Sequence, residues 1–485
     1  MKSAFMLCFK KKIFTTLILS MLAEPLFAQG IVLNNEDLRV DLNWLNQQGV
    51  IEISTSTWPL SGDEIQRALN VAKIDNKAQQ KVFNAVQSAL ESNKGVKISL
   101  FGETDPKYLP QGFAVQDTSE YKAAVTLKVG GEYWDGRINL NAEKDLIIDH
   151  DHELNIEGSY LAGKLWNQWF IAGQIPTYWG PGHDGSLIRG DTSRPVVGVT
   201  MQRAEQKSFD NKWLSWIGSW QYQAFGGQLD AYKEIPDAKL IGLRVTAQPL
   251  PNLELGASRI LQWGGEGRSE SWDSLWNAIK GNDNFYDGDL DKSNQIAGLD
   301  GRLNLNNLTG LPLSVYAQYV GEDEAGFLPA KKMYLAGIDF SSQMNGIPYQ
   351  LYSEWVDTRT NGDTRGISYN HYIYQDGYYQ HGYPLGHAIG GDSQMYTIGG
   401  DIRIDPMNRL NARMLLAKLN QSALEINQKY SLKDEVKGLD ITWTHYPRAD
   451  IPLKLNGWIS DSDQYGHDSG VSFKIELPID KNLFK

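Results

Sequence analysis

From about residue 238 to the end of the chain, tight proline-bearing turns alternate with long polar connections, and short alternating segments run between them. The tight turns fall at 248–252, 307–312, 344–348, 405–408 and 446–450, and the broad connections at 263–293, 321–331, 357–391, 420–431 and 461–467. In 294–305 one face carries Ala297, Leu299, Leu303 and Leu305, and the other Asp300, Arg302 and Asn304. In 396–404 Tyr396, Ile398, Ile402 and Ile404 oppose Thr397, Asp401 and Arg403; near the end, Val471, Phe473, Ile475 and Leu477 oppose Ser472, Lys474 and Glu476. A charged face behind an aliphatic one suits a membrane barrel with a polar lumen, whereas the inner face of a β-sandwich is dry. Some segments, such as 253–261, alternate poorly. The fold class expected is an all-β transmembrane barrel.

Seventeen strands can be counted from about Tyr121 to 468–477. If the last strand ends on the short-turn side, a chain entering from that side needs one further strand, and 96–101 supplies it, giving about 18 antiparallel strands. No segment after the first 28 residues reaches the ~18 apolar residues of a membrane helix, so a membrane crossing has to be made by a closed barrel. Residues 1–28 read as a signal peptide, with Lys2, Lys10, Lys11 and Lys12 before an apolar stretch. Residues 29–95 read as a small helical module: Leu38, Leu42 and Leu45 share one face, Ser61-Gly62-Asp63-Glu64 has capping-box form, and Val82, Phe83, Val86 and Leu90 make a third stripe. A short strand is expected at 50–53, and the barrel at 96–485. The formal net charge of −12 becomes −15 without residues 1–28, which carry four Lys and one Glu. Such an acidic chain is a poor partner for nucleic acid. The one cysteine, Cys8, lies in the signal stretch, which leaves no disulfide or thiolate metal site beyond it.

The segment 174–188 reads Gln-Ile-Pro-Thr-Tyr-Trp-Gly-Pro-Gly-His-Asp-Gly-Ser-Leu-Ile and continues through Arg189 and Arg194-Pro195 to Met201-Gln202-Arg203. Its glycines and prolines define a compact loop anchored by Trp179. This stretch resembles the capsule-assembly Wzi family of Gram-negative outer-membrane proteins, and its specific part is Trp179, Gly180, Pro181, Gly182, His183, Asp184, Gly185 and Ser186. Looser matches lie in 38–44, Gly49-Val50, 54–60, His381-Gly382-Tyr383 and 386–392. The resemblance implies an 18-strand barrel, plugged by helices on the periplasmic side, that binds capsular polysaccharide at the surface of a Gram-negative cell.

His183, Asp184 and Ser186 are hydrolase residue types, but they are crowded into four positions and no Gly-x-Ser-x-Gly elbow exists, so no catalytic residue is assigned. His371, His381 and His387 lack the close spacing of a ligand pair, and Asp287-Gly288-Asp289-Leu290-Asp291 lacks the acidic twelfth residue of a calcium loop, where Gly298 stands. No metal and no cofactor is expected. Two long loops suit a glycan better, because sugar C–H faces lie on aromatic rings while hydroxyls need paired donors and acceptors. The first holds Trp263, Trp272, Trp276, Phe285, Tyr286 and Asp287; the second holds Tyr369, Tyr372, Tyr374, Tyr378 and Tyr379. Arg268, Lys280, Arg359 and Arg365 lie near enough in sequence to pair with acidic sugar groups. The partners expected are capsular or extracellular polysaccharide, outer-membrane lipid and, during biogenesis, the barrel-assembly machinery, with the protein acting as a monomer. A porin or saccharide channel, in which Asp300, Arg302, Asp401 and Arg403 would set selectivity, is the competing reading, and an outer-membrane enzyme the weaker one.

Overall fold

The computed structural model describes residues 30–115, 118–148, 152–230, 232–280, 293–325, 328–360, 366–423 and 427–479. The signal stretch 1–28, Phe285, Tyr286, Asp287 and Arg365 lie outside the described residues.

The period-two segments become one closed antiparallel barrel. Its strands are β1 (Gly95–Glu103), β2 (Ser119–Gly130), β3 (Trp134–Leu146), β4 (Leu154–Asn155 with Tyr160–Leu165), β5 (Gln168–Gln174) and β6 (Val197–Arg203). They continue as β7 (Ser219–Gln228), β8 (Lys239–Leu250), β9 (Leu253–Trp263), β10 (Ser293–Asn304), β11 (Leu313–Ala325) and β12 (Leu328–Met344). The last six are β13 (Ile347–Asp357), β14 (Gln394–Arg403), β15 (Asn408–Leu419), β16 (Asp434–Arg448), β17 (Ile451–Ser462) and β18 (Gly466–Pro478). Both halves of β4 pair with β3, so β4 is one interrupted strand and the barrel has eighteen. At the break Glu157 folds inward, and its carbonyl accepts Asn139 Nδ2 at 2.6 Å.

The strand expected at 96–101 closes the barrel, pairing with β18 from Ser472↔Glu103 to Pro478↔Lys97. Leu299, Ile398 and Val471 are exposed on the outer face while Asp300, Thr397 and Arg403 are buried in the lumen, the inverse of a soluble protein. The poorly alternating segment at 253–261 is β9, whose upper outer face is covered by a helix, α4 (Trp272–Lys280). Arg259 there donates to the Ile279 carbonyl at 2.8 Å, so an outward arginine is satisfied without water. Two expected loops are strand instead. The connection at 321–331 is a continuation of the β11–β12 ladder to Ala325↔Leu328, and that at 461–467 is a tight turn after Ser462.

Residues 30–91 fold inside the short-turn end of the barrel. Helices α1 (Glu36–Gln47), α2 (Gly62–Asn70) and α3 (Lys77–Glu91) are capped by Asn35, Ser61 and Asn76, whose side chains accept Leu38 N, Asp63 N and Gln79 N. Leu38, Leu42, Ile65, Val82, Val86 and Leu90 form their shared core. Glu64 does not complete a capping box; it pairs with Arg67 and accepts Gln206 N at 2.7 Å. The strand expected at 50–53 is absent: Val50, Ile51 and Ile53 are buried irregular chain, and the short pairings form instead at Thr57–Trp58 and Leu60–Ser61. The apolar run there marks burial, not strand. Trp44 Nε1 donates to the carbonyls of Ser342 (3.0 Å) and Tyr349 (3.1 Å), and Lys81 Nζ to Gly346 O at 3.1 Å, which sets the helices against the β12–β13 turn.

The charges expected to line a channel are used up in joining these parts. Arg403 meets Asp41 of α1 at 2.6 Å, and Arg409 meets Asp401 at 2.6 Å and the Asp37 carbonyl at 3.0 Å. Arg244 grips Asp300 through two bonds of 2.6 and 2.9 Å and reaches Thr57 and Ser56, each at 2.9 Å. Arg302 pairs with Asp339.

Candidate functional site

The loop between β5 and β6 turns into the lumen and is tied to the wall along β7 and β11–β15. Tyr178–Trp179 pairs with Thr57–Trp58 of the helical module. Trp179 Nε1 donates to Gln223 of β7 at 2.5 Å, and Leu187 N to Gln318 of β11 at 2.7 Å. Glu354 of β13 accepts His183 N (2.7 Å) and Asp184 N (3.1 Å). Asp184 in turn accepts Arg413 of β15 (2.7 Å) and Thr397 of β14 (2.9 Å). From α1, Arg39 lies between the rings of Phe113 (4.3 Å) and Tyr178 (4.6 Å) and donates to Gly182 O at 2.6 Å. Gly182 accommodates the turn, since a Cβ there would lie 2.3 Å from Gly185 O.

His183, Asp184 and Ser186 do not form a catalytic array. His183 Nε2 faces Asp339 Oδ2 at 2.8 Å, its ring stacks on Tyr352 (4.6 Å, 10°), and burial holds it below its ordinary pKa. The Ser186 hydroxyl donates to the Trp179 carbonyl, within its own loop. Each side chain is spent on a structural partner. Arg194 is buried between Glu143 and Glu157.

Above this loop the long connection between β13 and β14 forms a packed lid. The tyrosines expected to meet sugar are mostly its core: Tyr369, Tyr374 and Tyr378 are fully buried, and Tyr379 almost so. Tyr369 Oη donates to Leu187 O (2.6 Å), Tyr378 Oη to Ile188 O (2.9 Å) and Tyr374 Oη to Gly264 O (3.1 Å). These hydroxyls bond backbone carbonyls, so the rings lock lid to loop and are shut off from a ligand. Trp263 is also buried, with Nε1 donating to Ser274 Oγ at 3.1 Å. Of the expected contact residues, Trp272 (85% exposed), Trp276 (55%) and Tyr372 (63%) reach the surface. Trp272 and Trp276 stand one turn apart on α4, which docks to β9 through the buried Ser274 and Ala278. Lys280 Nζ lies 5.0 Å from the Trp276 ring, and Arg268 lies 5.7 Å from Tyr374. Arg359 folds onto Asp357 instead, at 2.8 Å.

The wall partners Gln223, Gln318, Asp339, Glu354 and Arg413 were not singled out in the sequence. Strand alternation places each on the polar face, but nothing local says which lumen residue meets the loop.

His387 joins the lid to the loop. A Cβ on Gly185 would lie 2.4 Å from its ring, and burial pushes its pKa down to about 4. Its folded pKa is therefore below the unfolded value, so its contribution to stability is full above about 6.5 and is lost as the pH falls toward 4. Compared with His387→Gln, the parent is expected to lose up to about 3 kcal/mol over that interval, read from urea midpoints in detergent. Equal pH slopes for the two proteins would mean that the imidazole is not kept neutral.

The sequence profile of the capsule assembly protein Wzi family matches residues 93–474. The chain belongs to that family. Wzi of Escherichia coli, an outer-membrane protein of group 1 capsule assembly described as a carbohydrate-binding β-barrel, is 41% identical. It superimposes with a TM-score of 0.87 over 93% of this chain and 99% of its own. A 55.8 kDa protein from the cps region of Klebsiella pneumoniae is 40% identical over 466 residues, covering 95% of this chain and 92% of its own. As a Wzi-family member the protein is an outer-membrane barrel.

Proposed function

We propose that this Wzi-family protein holds capsular polysaccharide at the cell surface as a non-enzymatic lectin, organising the polymer as the capsule assembles. The lumen carries this reading: helices occupy its short-turn end, the β5–β6 loop crosses its middle and the tyrosine-packed lid covers the other end. A barrel closed by its own chain offers a ligand its outer surface, not a route through it. With the plug on the periplasmic side, the lid faces outward and presents Tyr372, while Trp272 and Trp276 are exposed on α4. The exposed aliphatic belt of the wall meets outer-membrane lipid, and the protein acts as a single barrel after insertion by the barrel-assembly machinery.

Deleting residues 357–391 would remove buried lid tyrosines, so point variants are the sound test. Trp272→Ala with Trp276→Ala is expected to weaken binding of the organism's own capsular polysaccharide about tenfold, through loss of two stacking rings. Binding would be measured on detergent-solubilised protein with a neutral glucan as control. Undiminished binding would make α4 a membrane-interface anchor, as exposed tryptophans at barrel rims commonly are.

A further inference from the structure

A cavity of about 670 Å³ remains inside the barrel, between the helical plug and the wall. Its lining runs from Pro406, Ala449 and Asp450 at the short-turn rim up to Gln111, His183 and Asp184, so the β5–β6 loop roofs it and the short-turn side is its mouth. The volume is that of a small-molecule site.

Its wall has an unusual charge pattern. Five neighbouring strands each turn a cation into it: Lys454 (β17), Lys474 (β18), Lys97 (β1), Lys128 (β2) and Arg137 (β3). Lys94 adds another at the mouth, and Lys81, Lys107, Lys122, Arg403 and Arg413 also line the cavity. Two of these pairs stand directly opposite across a ladder, Lys128↔Arg137 and Lys454↔Lys474. Like charges placed directly opposite destabilise a sheet. Carboxylates offset part of the belt: Asp37 holds Lys454 (3.0 Å), Asp135 holds Lys128 (3.5 Å), and Glu476 is shared by Lys474 (3.3 Å) and Lys97 (3.9 Å). Asp450 is taken by Arg448. The Arg137 side chain has no hydrogen bond or ion pair among the described residues, and its Nε is sealed from solvent with no partner. Beside the cations the cavity carries an aromatic face, Phe101, and the neutral groups Ser99, Thr126, Asn139, Asn456 and Ser472.

We propose that this cavity is a binding site for a small anionic glycan, with a carboxylate or phosphate held by Arg137 and Lys97. The sugar face rests on Phe101, and its hydroxyls meet the serine and asparagine side chains. The ligand enters from the short-turn side, which makes this site separate from the outward lid and from the tryptophans of α4.

The test is calorimetric titration of the full detergent-solubilised chain, at low salt, with a hexuronate trisaccharide, maltotriose and inorganic phosphate. Saturable binding of the trisaccharide but not maltotriose is expected, weakened about tenfold by Arg137→Gln and by Lys97→Gln, because a charge-assisted bond is removed. Trp272→Ala with Trp276→Ala should leave it unchanged, so failure of the surface-lectin reading and failure of this one are distinguishable. Binding of phosphate in place of the trisaccharide supports the anion site and assigns its ligand to phosphate esters. The ligand-free Arg137→Gln barrel should unfold at no lower urea concentration than the parent, since a repulsive pair is relieved. No saturable binding of either anion, binding unaffected by Arg137→Gln, or a marked loss of ligand-free stability in that variant would overturn the proposal.

Discussion

Arg194→Ala is expected to destabilise the barrel by about 3–5 kcal/mol, the cost of breaking a buried ion pair from one side. Arg194 is 2% exposed, and its two terminal nitrogens engage Glu143 and Glu157. Without the guanidinium, Glu143 keeps Lys122 at 2.7 Å, but among the described residues Glu157 has no other ion pair, and it is also buried. Its backbone carbonyl anchors the break in β4 through Asn139 and Asn141, so strain at Glu157 spreads to the β3–β4 ladder. Arg194→Lys should recover part of the loss, because one ammonium can serve one carboxylate but not the planar pair. Urea midpoints of the purified barrel give the measurement. A loss below about 1 kcal/mol would mean that water already solvates this triad.

The second large effect is an absence of current. An open barrel of sixteen to eighteen strands carries an aqueous channel. Here the purified protein in a planar bilayer should show no sustained conductance steps at voltages where such a channel conducts freely. The reason lies in where the β5–β6 loop is tied: Gln223, Gln318, Asp339, Glu354, Thr397 and Arg413 span β7 and β11 through β15. Withdrawing the loop would break these bonds together and leave buried charges without partners. Sustained steps in the parent protein would show that the loop swings aside, and the channel reading would return.

Both effects rest on the same circumstance: Arg194 and the β5–β6 loop are bonded to side chains of the chain's own wall. The lid extends it outward. Gly190 admits the Gly386 carbonyl, since a Cβ there would lie 2.2 Å from it, and Gly190 N donates to Leu385 O at 2.8 Å. Loop and lid therefore meet through backbone, and a ligand on the outer surface finds a stiff support. Such rigidity lowers the ordering cost that a flexible loop would add to binding.

The sequence by itself determined the barrel, its strand number, the closing strand at Gly95–Glu103 and the helical segment before it. Period-two alternation is a property of each strand alone, and lipid on one face with a polar lumen on the other imposes it wherever the strand sits. The Trp179–Ser186 loop was equally legible as a special segment, because its glycines and prolines have few other uses in so short a run. Which loops face a ligand was decided only by tertiary structure. Tyr369 and Tyr372 are three positions apart in the same polar loop, yet one is fully buried and the other 63% exposed. The partner of Tyr369 is the Leu187 carbonyl, 182 positions away, and no local pattern encodes it. The lumen cations are a similar case. Alternation places Lys128 and Arg137 on the polar face of their strands, but only the register sets them opposite one another, and only the position of the plug leaves a cavity beside them.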